Sequence, residues 1–75
     1  MKRADFLKEV IDTVEIEEDI NESTVLDDIE EWDSLASVTT LALFKQKLGL
    51  SIGAQDVKKC KTVKDLLDLG SAKYE

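Results

Sequence analysis

Ser34 is the residue of this chain with the clearest prospect of chemistry. It falls in the stretch Glu31-Trp32-Asp33-Ser34-Leu35-Ala36-Ser37-Val38, where an acidic segment gives way to apolar residues at helical spacing. A helix start exposes unpaired backbone N–H groups and the positive end of the macrodipole, so a serine oxygen held there is well placed to carry a phosphate. Serine and aspartate are also common helix caps, a purely structural role that the pair Asp33-Ser34 would fill equally well. On that reading Ser34→Ala would cost about 0.5 to 2 kcal/mol as a lost cap.

Few other residues could do chemistry. The chain has no histidine, so no Ser-His or Cys-His pair exists to activate a nucleophile, and the commonest ligand of a catalytic metal is missing. Cys60 is the single cysteine. It can form no internal disulfide, and although Lys58, Lys59 and Lys61 flank it, it reads most simply as a small buried apolar residue. Carboxylates are abundant, yet a general acid needs an apolar pocket that a chain of 75 residues has little room to build. There is no glycine-rich phosphate loop. These residues point to a binding or carrier module, not to an enzyme.

The carboxylates are unevenly placed. Ten of the 17 acids lie between Glu15 and Asp33, with no lysine or arginine among them, and the net charge is −7. That field disfavours contact with nucleic-acid phosphates and favours partners with basic patches; the plainer reading is a solvated loop that aids solubility. A calcium loop of the D-x-[DN]-x-[DN]-G type is not present, since the segment contains no glycine.

The elements that position Ser34 can be read from spacing. Phe6, Leu7, Val10, Ile11 and Val14 share one helix face, which predicts a first helix from about Lys2 to Thr13 or Val14. From Glu15 to Asp33 the period is lost. So long a connection is expected to be an ordered loop anchored by Ile20, Val25, Leu26 and Ile29, with a short turn near Val25 to Ile29. A second helix is expected from Ser34 or Leu35 to Lys47 or Leu48, ended by Gly49. Leu41, Phe44 and Leu48 would form its core stripe and Leu35, Val38 and Ala42 a second apolar stripe, with Leu43 adding to an unusually apolar circumference. Leu50 and Ile52 would plug a short linker into the core. A short third helix follows over about Ala54 to Lys59, with Val57 and Cys60 inward. A fourth, capped by Thr62, carries Val63, Leu66 and Leu67 toward the core and ends at Gly70, leaving Ser71 to Glu75 as a frayed tail. The expectation is one all-α domain over residues 1–75: a small four-helix bundle of three longer helices and one short helix, with a long ordered loop between the first two. No apolar run is long enough to span a bilayer, and Met1-Lys2-Arg3 leads into a mixed pattern with no signal-peptide core, so a soluble, unprocessed cytoplasmic protein is expected.

The run Asp33-Ser34-Leu35 at the head of an apolar helix, then Ile52 entering a short helix and Thr62-Val63-Lys64-Asp65-Leu66 opening the last one, resembles the acyl carrier proteins and the wider phosphopantetheine-binding carrier family. The likeness covers most of the chain. It implies that Ser34 is the attachment point for 4′-phosphopantetheine, installed from coenzyme A by a magnesium-dependent phosphopantetheinyl transferase, and that the prosthetic thiol carries acyl or aminoacyl groups as thioesters between a loading enzyme and a downstream synthase or transferase. By the same likeness Asp33 assists transferase recognition or metal placement, and Trp32, Leu35, Val38 and Ala42 belong to the surface read by partner enzymes. A carrier that visits several enzymes is expected to be monomeric. In carriers of primary fatty-acid synthesis the exposed face of helix two is rich in acids; the corresponding positions here are Ala36, Thr39, Thr40, Lys45, Gln46 and Lys47, with no carboxylate between Ser34 and Leu48, and Trp32 stands before Asp33. Both departures suggest a specialised biosynthetic pathway. The competing reading is a small acidic helical interaction module without a prosthetic group, in which Ser34 is only a cap.

Overall fold

Phe6 and Val10 sit one turn apart and are both buried, so the first helix forms by laying this face on the rest of the chain. The computed structural model describes residues 1–74, with helices α1 (Arg3–Val14), α2 (Ser34–Leu48), α3 (Ala54–Lys58) and α4 (Val63–Asp68), and 3-10 turns at Leu26–Asp28 and Ser71–Lys73. The fold is all-α, with four helices and no strand among the described residues. The last helix, at six residues, is close in length to the five-residue third.

Helix α1 ends without a glycine. Glu15 takes the left-handed conformation at φ 62°, and the Ile16 N–H turns back onto the Ile11 carbonyl at 3.0 Å. Burial of Ile16 on the core holds this turn in place. Helix α2 ends more conventionally at Gly49, φ 68°, with the Gly49 and Leu50 N–H groups bonded to the carbonyls of Lys45 and Phe44. The two long helices meet at Phe6 and Phe44, both fully buried, their ring centroids 4.8 Å apart and tilted by 35°.

The long acidic segment is ordered, and the short turn expected near Val25 to Ile29 is the 3-10 turn at Leu26–Asp28. Leu26 and Ile29 are buried anchors and Ile20 is half-buried. Val25 is not an anchor, since its side chain is 41% exposed. Its backbone instead bridges Thr62, while Leu26 N–H reaches the Lys61 carbonyl and Val63 N–H reaches the Thr24 carbonyl, each at 2.9 Å. Backbone hydrogen bonds at this bridge do the work that side-chain burial was expected to do, and they fix the loop to the head of α4. That head is itself locked by a reciprocal cap: Asp65 N–H donates to Thr62 Oγ1, and Asp65 Oδ2 accepts from the N–H groups of Lys61 and Thr62. These bonds, that from Lys61 foremost, hold the Asp65 carboxyl below the usual carboxylate range. Arg3 adds a second tie across the molecule, donating to Glu22 at 2.8 Å and to Asp68 at 2.6 Å.

The C-terminal residues are docked, contrary to the frayed tail expected of them. Tyr74 donates its hydroxyl to the Leu67 carbonyl at 2.8 Å, and its ring lies 6.1 Å from Phe6 with the Arg3 guanidinium 5.8 Å from its centroid. An aromatic ring with a polar tip can bury its body while the hydroxyl is satisfied, a signal overlooked in a short charged tail. Glu75 lies outside the described residues. Burial, only partly offset by Arg3, pushes the Tyr74 phenol up to about 12. The raised value favours the neutral form in the folded state. Its stabilisation is complete below the ordinary phenol value near 10 and is lost as pH rises from there through about 12. Because the chain has one tyrosine, an ultraviolet phenolate titration should give a single midpoint near 12 in the folded protein, and a midpoint near the ordinary value of about 10 would contradict the docked tail.

Gly70 shows why the chain can close so tightly at this corner. A Cβ there would stand 2.7 Å from Leu48 Cδ1, 3.0 Å from the Tyr74 hydroxyl and 3.2 Å from Phe44 Cε1. Gly70→Ala is expected to cost about 1 to 3 kcal/mol through overpacking, read as a lower urea midpoint at unchanged slope.

Candidate functional site

The head of α2 is set by Asp33, not by the serine. Asp33 Oδ1 accepts from Ala36 N–H at 2.8 Å, and its carbonyl accepts from Ser37 N–H at 3.0 Å. Asp33 is therefore the N-cap and Ser34 the first residue of the helix, which corrects the expectation that both provide the cap. Ser34 contributes only its carbonyl, to the Ser37 hydroxyl at 2.8 Å, and its own exposed hydroxyl has no partner among the described residues. The amides of Ser34 and Leu35 point out of the helix start without an intrahelical acceptor. A free oxygen, two open N–H donors and the helix dipole thus coincide at one point.

Which face of α2 is buried differs from what the sequence and the resemblance led one to expect. Ala36 and Thr40, expected on the exposed face, are 5% and 0% exposed and share the core stripe with Leu43, Phe44 and Leu48. Thr40 can be buried because its hydroxyl donates to the Ala36 carbonyl at 2.9 Å. Leu41, expected in the core stripe, is half-buried and packs at the core's edge. The second stripe emerges into solvent: Leu35 is 73% exposed, Val38 58% exposed, and Ala42 lies beside them, also exposed. Ser34 therefore heads an unpartnered apolar strip.

Trp32 is placed differently from that strip. It is half-buried against the core and lines, with Asp33, Ser34 and Ser37, one side of a groove of about 270 Å³. Val57 and Lys58 of α3 form the facing side. Lys58 is one of several lysines around Cys60 in the sequence, and only the fold shows that it lines the same groove as Ser34. Cys60 also reaches this groove, with its Sγ 3.3 Å from the Asp56 carbonyl it donates to. Burial, then the nearby Asp65, Asp56 and Asp68, pushes its thiol above the usual range, which disfavours the thiolate. Asp27 also lines this groove, and a larger group of acids, Asp12, Glu15, Glu17, Glu30 and Glu31, lines an open cleft at the C-terminal end of α1. Glu31 Oε2 accepts from the Glu17 amide there at 3.3 Å.

The structure is a small all-α domain with one exposed, unbonded serine hydroxyl at the start of its longest helix. Residues 5–69 match the family model described as the phosphopantetheine attachment site, and the chain belongs to this family. No curated protein sequence is significantly similar to the chain. Members of the family hold 4′-phosphopantetheine covalently on a serine. The residues here fit that group: a free hydroxyl to carry the phosphodiester, open amides and a helix dipole to favour its charge, and a groove leading away from it. The group itself supplies a thiol on a flexible arm. No helix among the described residues is long and apolar enough to cross a membrane.

Proposed function

We propose that Ser34 bears the 4′-phosphopantetheine and that the protein shuttles acyl or aminoacyl thioesters between partner enzymes of a specialised biosynthetic pathway. The observation that supports this most directly is the Ser34 hydroxyl, exposed and unbonded at the head of α2 within the matched region. The other serine of this helix, Ser37, is half-buried and has its hydroxyl committed to the Ser34 carbonyl. On this reading the chain is a substrate and carrier, with catalysis left to others: its sequence holds no histidine to activate the serine. A phosphopantetheinyl transferase must install the arm, and Asp33 beside Ser34 would take part in its recognition or in placing its metal. A tethered thioester meets successive active sites at high effective concentration without being released.

The exposed strip of Leu35, Val38 and Ala42 is the surface we assign to partner enzymes, together with Trp32, which lies apart from it in the groove beside Ser34. The exposed positions of α2 include no acid, so docking there would rest on shape and apolar contact, with charge steering supplied by the preceding loop. Incubation of the apo protein with coenzyme A, magnesium and a broad-specificity phosphopantetheinyl transferase should add the mass of one phosphopantetheinyl group. An unchanged intact mass would sink the carrier reading. The specialised pathway has its own check: elongation on the loaded protein by a housekeeping fatty-acid synthase should be slow, and a rate equal to that of the system's own carrier would count against it.

A further inference from the structure

The outer face of α2 carries its charge at its two ends. At the head, Asp33 stands beside Ser34, with Glu15 and Glu31 on the side of Leu35 and Asp27 on the side of Ser37; Lys58 of α3 is the one cation lining either groove. The middle of the face is the apolar strip of Leu35, Val38 and Ala42. From Ser34 onward the chain has no acid before Asp56. Two turns beyond Val38, on the same side of the helix, stands Lys45, exposed and in no ion pair among the described residues. A cation in the last turn also suits the helix dipole, but Lys47 already supplies one there, 3.9 Å from Glu9 on the α1 side.

At the helical rise Ser34 and Lys45 are roughly 16 Å apart along the axis, about two screening lengths at physiological salt. The two ends therefore do not cancel, and a surface that covers the strip meets them as separate charges. We infer, on the reading that this strip meets partner enzymes, that the matching enzyme surface is bipolar. It carries an apolar patch with basic residues beside Ser34, and an acidic patch roughly 16 Å away, opposite Lys45. Lys45 is then a specificity-determining residue. It fixes one docking direction, because the reversed one sets like charges against each other, and it disfavours enzymes whose docking patch is basic throughout.

The probes are two synthetic helical peptides with the same leucine face, titrated into the isotope-labelled protein and followed by nuclear magnetic resonance. One bears arginines at one end and glutamates at the other; the second bears arginines at both. The mixed peptide should shift the amides of Leu35, Val38, Ala42 and Lys45 and bind more tightly than the all-arginine one. A nitroxide on its glutamate end should broaden Lys45 and Gln46 and spare Ser34 and Leu35. Lys45→Gln, at an exposed position, should weaken the mixed peptide by roughly 1.5- to 5-fold, the worth of one exposed pair, and Lys45→Glu should reverse the preference. Raised salt should narrow the difference in the native protein. Equal affinity for the two peptides, or an unchanged preference in Lys45→Glu, would overturn the part given to Lys45. Shifts confined to other surfaces, or none, would overturn the strip as the docking surface, a result separate from the mass assay on Ser34. Concentration-dependent shifts of the strip without peptide would overturn the enzyme as occupant in favour of a second copy of this chain.

Discussion

Phe44→Ala is expected to destabilise the domain by about 3 to 5 kcal/mol, the usual range for deleting a buried phenylalanine. Phe44 is fully buried, stacks on Phe6 at 4.8 Å, and lies at the corner where Gly70 lets the C-terminal segment close on α2. Its carbonyl also accepts from Leu50 N–H at the end of the helix. Removing the ring opens a cavity that Phe6 and Leu48 can fill only in part, and it forfeits an aromatic pair. A chain of 75 residues holds only about 4 to 11 kcal/mol in total, so most of its stability would be lost. Urea denaturation followed by circular dichroism measures the effect. Leu35→Ala is the control: at 73% exposure it should stay within about 0.5 kcal/mol of native. A larger cost at Leu35 than at Phe44 would mean that the apolar faces of α2 have been assigned the wrong way round.

Those two faces mark the limit of what spacing can say. Helix α2 is apolar over so much of its circumference that period alone does not choose a buried side; the choice turned on Thr40. A threonine reads as a surface residue until its hydroxyl is seen bonded to the carbonyl one turn back, after which Ala36, Thr40, Leu43, Phe44 and Leu48 form the inner stripe. Helix α1 was legible because its polar and apolar faces are distinct, and the capped ends at Asp33, Gly49 and Thr62 were legible because those residue types have few other uses at such positions. Glu15 ends α1 with no such signature. The loop was legible as ordered, but its attachment was not, since the Val25–Thr62 bridge is made by backbone atoms that carry no mark in side-chain pattern. For the candidate site, the positions of Asp33 and Ser34 at the helix head and the exposure of Leu35 and Val38 were legible in the sequence. The facing wall of Val57 and Lys58 comes from a helix some twenty residues away and depends on the tertiary fold.

Ser34→Ala should abolish loading while leaving stability within about 0.5 kcal/mol of native, because the cap at this helix start belongs to Asp33. The two neighbours are therefore separable, although sequence alone suggests one shared role. Asp33→Ala should cost about 0.5 to 2 kcal/mol, since Ala36 N–H loses its acceptor. Asp33→Asn keeps an oxygen that can accept that bond and removes the charge, so it should be nearly as stable as native. Thermal melts of the three variants, run beside intact-mass assays of phosphopantetheine transfer, distinguish the roles. Slow loading in both Asp33 variants assigns the carboxylate to the transferase encounter; slow loading in Asp33→Ala alone assigns it to holding Ser34 in place. Retained loading in Ser34→Ala would move the attachment point, and the nearest other hydroxyl on the helix is Ser37, which would have to give up its bond to the Ser34 carbonyl. That bond makes Ser37 the poorer acceptor, and Ser37→Ala should load like the native protein.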